Sequence, residues 1–315
     1  MKATKIIITA FLSAAAICLS GCAVSITNAG SIGSTVNYPN ADKYTAGDRE
    51  IKDEIHALDI AWPSGAVKVS AASGKTVSVK ETTAAKLTDD LKVHSWTDGG
   101  VLRVRFCKSG SSYQKPEPKT IEITVPESIR LEDVGISVAS ADVDCSGLSA
   151  KNADLSAASG KLQYTGTAER FRSSASSGNI SFSGESDEIS ATASSGAVEI
   201  AQRGKSDCIS VDTSSGRISI DAEQTAELTA SSSSGEKDIR LKEVPQKMRL
   251  TASSGDVTLT LPEKSDFTAD INTASGSVSY DLQMSKKDGN TYVCGSGVNK
   301  VTIDTSSGNV SILKN

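Results

Sequence analysis

A short pattern recurs through the second half of this 315-residue chain. Ser-Ser-Gly or Ala-Ser-Gly places its glycine at Gly160, Gly178, Gly196, Gly216, Gly235, Gly255, Gly276 and Gly308. Successive glycines are 18, 18, 20, 19, 20, 21 and 32 residues apart. Self-similarity with a period near 20 residues is typical of solenoids, in which each repeat forms one coil.

Apolar residues keep a fixed phase relative to that glycine, two and four positions after it and five and seven before it. The column at +4 is Tyr164, Phe182, Ile200, Ile220, Ile239, Leu259, Tyr280 and Ile312. The column at +2 is equally apolar apart from Lys237, and mostly polar residues lie between the columns. Such alternation indicates strands with one buried face. We therefore expect Tyr164, Phe182 and Tyr280 in the core.

A unit of two short strands cannot bury its apolar face alone, but parallel coils stacked about 4.8 Å apart can. The predicted fold is all-β, a parallel β-solenoid (β-helix-like) of about 20-residue coils. A β-propeller, with about 40 residues in each four-stranded blade, fits the spacing less well. We expect each glycine to adopt a positive φ at a sharp corner, and the flanking serines to form ladders from coil to coil.

Residues 49–133 contain short alternating runs such as Val67-Lys68-Val69, which predict an N-terminal β-rich part leading into the solenoid of residues 134–315. Trp62 and Trp96 lie in this part, and core packing is the favoured interpretation for both. Ser285–Gly297 reads as a loop that bulges from the last turn. Because an open coil edge invites aggregation, we expect this loop or Lys314-Asn315 to cap the end.

The first residues predict export. Lys2 and Lys5 precede an apolar run that ends at Leu19-Ser20-Gly21-Cys22, so residues 1–21 are typical of a signal peptide. The last four residues resemble the bacterial lipobox. That resemblance implies cleavage before Cys22 and attachment of acyl chains such as palmitate to it, which would anchor the chain to a membrane. The alternative is an ordinary signal peptide with a chance cysteine.

Residues 22–48 lack apolar periodicity and read as the lipidated cysteine and a flexible tether. These features predict a lipoprotein of the cell envelope, on the extracytoplasmic side of a bacterial membrane. A formal net charge of −5 without a basic run argues against nucleic acid as a partner.

Four cysteines remain after the signal region, namely Cys107, Cys145, Cys208 and Cys294. In an oxidising compartment they could form disulfides, and the open alternative is four buried thiols. They show no zinc-binding spacing, and His56 and His94 stand apart. Phosphate and dinucleotide fingerprints are also missing, so we expect neither a metal nor a cofactor.

A search for catalytic residues gives no constellation, so we expect no enzymatic activity. Asp212 and Asp304 share a column but should lie four coils, or about 19 Å, apart. Glu199 and Asp238 should lie about 10 Å apart, just beyond the carboxylate separation of inverting glycosidases. Both pairs read as solvated polar positions. The serines lack a nucleophile motif, and no histidine occurs in the repeats.

The Ser-Ser-Gly corners, the strand Ile121–Pro126 and the motif Val301–Ile312 resemble one bacterial family. It comprises Ser-Gly-repeat β-solenoid proteins named "putative adhesin", a domain of unknown function, and the resemblance covers roughly residues 50–315. It implies a β-solenoid in the cell envelope. Fold alone says little about function.

Two functions remain open. The favoured one is a non-catalytic binding, adhesin-like or scaffolding module that displays Ser/Thr ladders. Its partners would be the membrane through the lipid, and envelope proteins or cell-wall glycan. The alternative is a glycan-active enzyme with its site in Ser285–Gly297, where Asp288 is the only carboxylate. Clustered carboxylates with raised pKa values beside a groove would favour the enzyme.

Overall fold

The structure, a computed structural model, describes residues 25–28, 34–113 and 118–315. The predicted signal peptide and Cys22 lie outside these residues. The described regular structure consists of β-strands and two 3-10 helices, Ala41–Lys43 and Asp89–Leu91. The strands before the repeats are β1 (Ser25–Asn28), β2 (Ser34–Asn37), β3 (Thr45–Ala46), β4 (Arg49–Ile51), β5 (Ala57–Ala72), β6 (Val77–Thr82), β7 (His94–Asp98), β8 (Val101–Arg105), β9 (Ser112–Tyr113) and β10 (Lys119–Pro126).

Long bent strands form most of the coils, and shorter ones form the remainder. The long strands are β11 (Leu131–Ala157), β12 (Leu162–Ala175), β13 (Ile180–Ala193), β14 (Val198–Thr213) and β15 (Ile218–Ser232). The shorter ones are β16 (Lys237–Leu241), β17 (Lys247–Ala252), β18 (Val257–Leu261), β19 (Phe267–Thr273), β20 (Val278–Tyr280), β21 (Met284–Asp288), β22 (Thr291–Cys294), β23 (Asn299–Thr305) and β24 (Val310–Lys314).

Successive coils pair in parallel with the predicted register. Phe182 of β13 lies between Tyr164 and Ile200, and Ile189 lies between Phe171 and Ile209. Residues that follow a corner glycine form one side of each coil, the post-glycine sheet. Residues that precede the next glycine form the other side, the pre-glycine sheet. The fold is the expected all-β parallel solenoid.

The apolar columns line the interior of the stack, and nearly all of their members are buried. Tyr164, Phe171 and Phe182 contact one another across the two sheets, with ring centroids 4.7–6.0 Å apart. The exceptions lie on β20, where Val278 is half-buried and Tyr280 is 41% exposed. The prediction that Tyr280 belongs to the core is wrong, since no described strand covers β20 beyond the last coil.

The corner glycines are required for a different reason from the one expected. Of those eight, only Gly160 has a positive φ, 113°. From Gly178 onward, a Cβ on each glycine would overlap the carbonyl oxygen of the glycine in the neighbouring coil. The prediction of a positive φ is therefore wrong for seven of the eight. Glycine is needed there because the backbones approach too closely for any side chain.

The coils do not stack in sequence order throughout. β24 pairs with β18 on one side and with β20 on the other, and β23 lies between β17 and β19. The coil with Gly308 is therefore inserted between those with Gly255 and Gly276. We call the coil that contains Gly308 the inserted coil.

The segment Ser285–Gly297 is not a bulging loop. Most of it forms a hairpin, β21 and β22, joined by Gly289-Asn290. β22 adds to the pre-glycine sheet by pairing antiparallel with β19. Of the two expected caps, the segment Ser285–Gly297 is therefore present and covers the pre-glycine sheet only. Lys314-Asn315 does not cap the end, because it lies beside β18.

The solenoid also begins earlier than residue 134. β5 bends at Pro63-Ser64-Gly65 and pairs in parallel with β11, so it is a coil itself. β8 and β10 pair with the two halves of β5 on its other side. Antiparallel strands β6, β7, β3 and β4 then close this end of the stack.

The predicted tether is folded from residue 34 onward. Val36, Tyr38 and Tyr44 are buried in the hydrophobic core. The Tyr38 hydroxyl donates to the carbonyl of Cys107 over 2.9 Å. Residues 34–48 thus belong to the N-terminal end of the domain, because their apolar side chains supply part of its core.

Candidate functional site

A ridge of serines runs along the glycine corner of the solenoid. We define the corner ridge as the exposed residues Ser176, Ser177, Ser194, Ser195, Ser214, Ser215, Ser233, Ser234, Ser253, Ser254, Ser306, Ser307 and Ser275. Nearly all of their backbone amides donate to carbonyls of the adjacent coil, as Ser195 does to Ser176 over 3.0 Å. The backbone is thereby fixed, and the hydroxyls repeat at the coil spacing of about 4.8 Å.

Polar groups beneath the ridge hold the corner in place. Thr213 and Ser232 are buried, and their hydroxyls donate to the carbonyls of Gly216 and Gly235 over 2.8 and 2.7 Å. Next to the ridge, the Asn179 side chain accepts a bond from the amide of Ala197, one coil further on. These bonds rigidify the corner, because they satisfy backbone groups that the bend leaves unpaired.

Lys237 is buried beneath the same corner, at an inward position that is apolar in the neighbouring coils. Its Nζ lies 2.5 Å from the Ser232 Oγ. Burial lowers the pKa of Lys237 to about 8. The sequence contained the signal for this residue, since Lys237 interrupts the +2 column.

A second group of buried charges lies at the N-terminal end. Lys119 Nζ contacts Glu81 Oε1 at 2.6 Å and the carbonyl oxygen of Leu91 at 2.7 Å. Arg105 is fully buried, and both of its terminal nitrogens contact the Asp59 carboxylate. These groups neutralise each other inside the fold. Sequence reasoning missed them because the partners are far apart in the chain.

The carboxylates considered for catalysis remain on the outer faces. The inserted coil places Asp304 beside Thr251, three coils from Asp212 rather than four, or about 14 Å. Asp304 forms an ion pair with Arg249 at 3.1 Å. Glu199 and Asp238 are separated by Ser219 as predicted, and Asp238 lies 3.3 Å from Arg217.

The hairpin offered for the enzymatic alternative has different chemistry. Asp266 beside it accepts bonds from the Ser296 hydroxyl and the Val298 amide, and these bonds lower the pKa of its carboxyl. An acid catalyst would need the opposite shift. One carboxyl with a raised pKa is Asp154, where burial is the main cause, but it lies in the pre-glycine sheet, far from the hairpin.

A shallow groove lies where the long strands bend away from the glycine corner. It has a volume of about 180 Å³, and its charged lining includes Arg130, Glu169, Glu185, Asp187 and Lys205. Arg130 and Glu169 form an ion pair across it at 2.8 Å. The volume is below the roughly 300–1,000 Å³ of ordinary ligand pockets.

The four cysteines named as possible disulfide partners are free thiols in the structure. Cys107, Cys145 and Cys294 are buried, and Cys208 is half-buried. Cys107 follows β8, whereas the other three lie on the separate strands β11, β14 and β22. Burial raises the pKa of Cys107 to about 11, so this thiol is poorly reactive near neutral pH.

The histidines and tryptophans lie near the N-terminal end. His56 is partly exposed, and its Nδ1 lies 3.3 Å from Oε2 of Glu132. His94 is buried, and its Nδ1 is within hydrogen-bond distance of the Lys92 carbonyl oxygen. Trp62 is fully buried, and Trp96 packs against the core.

In the described ranges, no three His, Cys, Asp or Glu side chains are placed to hold a metal ion. No helix among those residues is long and apolar enough to span a bilayer.

Comparison with known proteins identifies the family. The family model "Toastrack DUF4097" matches residues 55–313. The chain belongs to this Toastrack family. The match begins just before β5 and ends within β24, so it includes the N-terminal coil, the repeats and the hairpin. No curated protein matches the chain.

Solved structures are similar to this chain at low sequence identity. A "putative adhesin" from Parabacteroides distasonis ATCC 8503 is 13% identical, with a TM-score of 0.53, over 87% of this chain and 97% of that one. A "putative adhesin" from Bacteroides fragilis NCTC 9343 is 12% identical, with a TM-score of 0.43, over 84% and 95%. A "Putative lipid binding protein" from P. distasonis is 17% identical, with a TM-score of 0.38, over 86% and 97%. The first of these structures, with a TM-score above 0.5, shows the same fold, and at 13% identity it shows the fold alone.

Proposed function

We propose that this protein is a non-catalytic, adhesin-like binding module of the bacterial cell envelope, held outside the membrane by lipid on Cys22. The observation that carries the proposal is the corner ridge, a regular array of exposed hydroxyls on a rigid backbone. The lipobox-like residues Leu19–Cys22 support the anchor.

The ridge suits a partner that is itself a repeating array of hydroxyl groups, and we propose cell-wall glycan. A serine hydroxyl both donates and accepts hydrogen bonds, as sugar hydroxyls do. One such bond is weak in water. Regular repetition along the ridge lets many weak contacts act together on a polymeric ligand.

Two experiments test the two parts of the proposal. The anchor predicts that the wild-type chain fractionates with membranes and that Cys22→Ala releases it. Binding is tested by co-sedimentation of the Cys22→Ala chain with insoluble cell-wall glycan. Ser177→Lys, Ser195→Lys and Ser215→Lys together should abolish sedimentation.

A matched control separates the ridge from the general surface. Ser174→Lys, Ser190→Lys and Thr192→Lys add the same charge at exposed positions of the pre-glycine sheet, and this variant should sediment like the parent chain. Equal loss in both variants would refute a role of the ridge. No sedimentation of the parent chain would refute glycan as the partner.

A further inference from the structure

The end of the solenoid farthest from residues 34–51 has the shape of a step. The hairpin extends the pre-glycine sheet by two strands, β22 and β21, beyond β19. The post-glycine sheet ends at β20, and among the described strands β20 pairs with β24 alone. One sheet therefore rises about 10 Å above the other, since neighbouring strands are about 4.8 Å apart.

The recess above β20 is lined by side chains that face the interior elsewhere in the stack. Tyr280 is 41% exposed, and its ring contacts that of Tyr292 on the inner side of the hairpin, with centroids 5.7 Å apart. Lys286 Nζ lies 5.6 Å from the Tyr292 ring centre. The recess thus has an open strand edge for a floor and a partly apolar wall.

The geometry points to a second copy of this chain as the occupant of the recess. A two-fold axis parallel to the strands would invert the second copy and exchange its two sheets. Its pre-glycine sheet, with the two extra strands, would then stand above the post-glycine sheet of the first copy. The two-strand projection of each copy fills the two-strand recess of the other.

Strand direction agrees with this arrangement. β19 runs towards the glycine corner, and because β22 and then β21 alternate in direction, β21 does so too. β20 runs away from that corner. A two-fold axis along the strands preserves these directions, so β20 of one copy would meet β21 of the other as an antiparallel pair.

We call this end of the solenoid, formed by β20 and the hairpin of β21 and β22, the tip. The charges at the tip are also complementary between copies. Asp281 follows β20, whereas Lys286, Lys287 and Asp288 lie on β21, and all four are exposed. None of them forms an ion pair within the described part of the chain. In the antiparallel arrangement, the cations of one copy lie beside β20 of the other copy, which Asp281 follows directly, and this juxtaposition favours the pairing.

The arrangement has a consequence that rests on the proposed lipid anchor. Residues 34–51 lie at the opposite end of the solenoid, and Cys22 precedes them in the sequence. Two copies joined tip to tip would therefore carry their anchors at the two far ends of one rod. Such a pair would connect two different membranes and would not join two molecules anchored in the same membrane.

The contact itself is tested without the lipid, by sedimentation velocity of the full chain carrying Cys22→Ala. We expect a monomer–dimer equilibrium that shifts with concentration, because the interface is small. Tyr280→Lys should weaken association about tenfold or more, since a central aromatic is lost and a cation is placed near Lys286. Val298→Lys is the matched control, because Val298 is 77% exposed and lies outside β20 and β21.

The bridging is tested with the lipidated chain in two populations of vesicles, one fluorescent. Vesicles should aggregate with the parent chain and with Val298→Lys, but not with Tyr280→Lys. A parent chain that stays monomeric at every concentration, or equal association of both lysine variants, would overturn the tip contact. Association in solution without membrane attachment would leave the tip contact standing and refute the anchor instead.

Discussion

Gly308 lies directly against the carbonyl oxygen of Gly255, although Gly276 comes between them in the sequence. Gly276 in turn lies against Gly308. The close glycine contacts thus continue without interruption through the inserted coil. The corner of the solenoid is defined by this backbone contact rather than by the order of the repeats.

Strand order can be tested by cross-linking. Ser311 lies between Thr258 and Ser279 in one outward column, and its hydroxyl is 3.2 Å from that of Ser279. Thr258→Cys with Ser311→Cys, and Ser279→Cys with Ser311→Cys, should form disulfides on oxidation. Thr258→Cys with Ser279→Cys should not, because two strand spacings, about 10 Å, separate them. A disulfide in the third variant, read by mass spectrometry, would contradict the inserted coil.

Replacing a corner glycine should be costly even by alanine. In Gly216→Ala the new Cβ would overlap the carbonyl oxygen of Gly196, so two coils must separate. We expect a loss of about 3 kcal/mol or more in the free energy of unfolding, measured by chemical denaturation. Ser219→Val, at an outward position three residues after Gly216, should change it by less than about 1 kcal/mol. Similar small effects would argue against close packing at the corner.

Lys237 makes stability depend on pH in the alkaline range. Its pKa is about 8 in the fold against 10.5 for a solvent-exposed lysine, so the unfolded chain binds more protons between these values. The penalty for burying the charge is complete below pH 8 and fades as the pH rises towards 10.5. At 1.36 kcal/mol per pKa unit, it amounts to about 3 kcal/mol at most.

Lys237→Met removes this ammonium while keeping an unbranched side chain. The variant should melt at a higher temperature than the parent at pH 7, and the difference should shrink between pH 8 and 10.5. Thermal unfolding of both chains across this range is the measurement. A difference that does not vary with pH would show that Lys237 stays charged in the fold.

The buried pair of Lys119 and Glu81 should matter more than any exposed pair. Their side chains are 2% and 6% exposed, so Glu81→Gln would leave an ammonium buried without its counter-ion. We expect a loss of about 3–5 kcal/mol in the free energy of unfolding. Glu122→Gln, which breaks the exposed pair with Lys68, should cost about 1 kcal/mol or less. Equal costs would contradict the burial.

The sequence predicted the coil, its register and the interior columns, because each of these repeats at a constant spacing. It could not predict the inserted coil, since repeats with the same columns can stack in any order. The position of its coil in the stack also determines the exposure of Tyr280, because the residues of its column are buried in every coil except the last one. Only the three-dimensional order shows which coil that is.

Other features could not be predicted from the sequence because the local pattern at each of them was weak or incomplete. Pro63-Ser64-Gly65 is one corner standing alone, so periodicity did not reveal β5 as a coil. Asp288-Gly289 is a hairpin signal, but the polar residues around it favour a loop. The serine columns of the corner ridge were visible from the start, but their exposure depends on the close approach of the glycines beneath them.

The inserted coil also imposes an order of assembly on the chain. A chain that emerges from its amino end can stack its coils one upon another as far as β18. β19 and β20 then have no site, because their neighbours β23 and β24 have not yet emerged. The tip closes only after β24 has been released, so a chain interrupted before that point would expose the coil of Gly255 and lack the surface on which we expect a second molecule to dock.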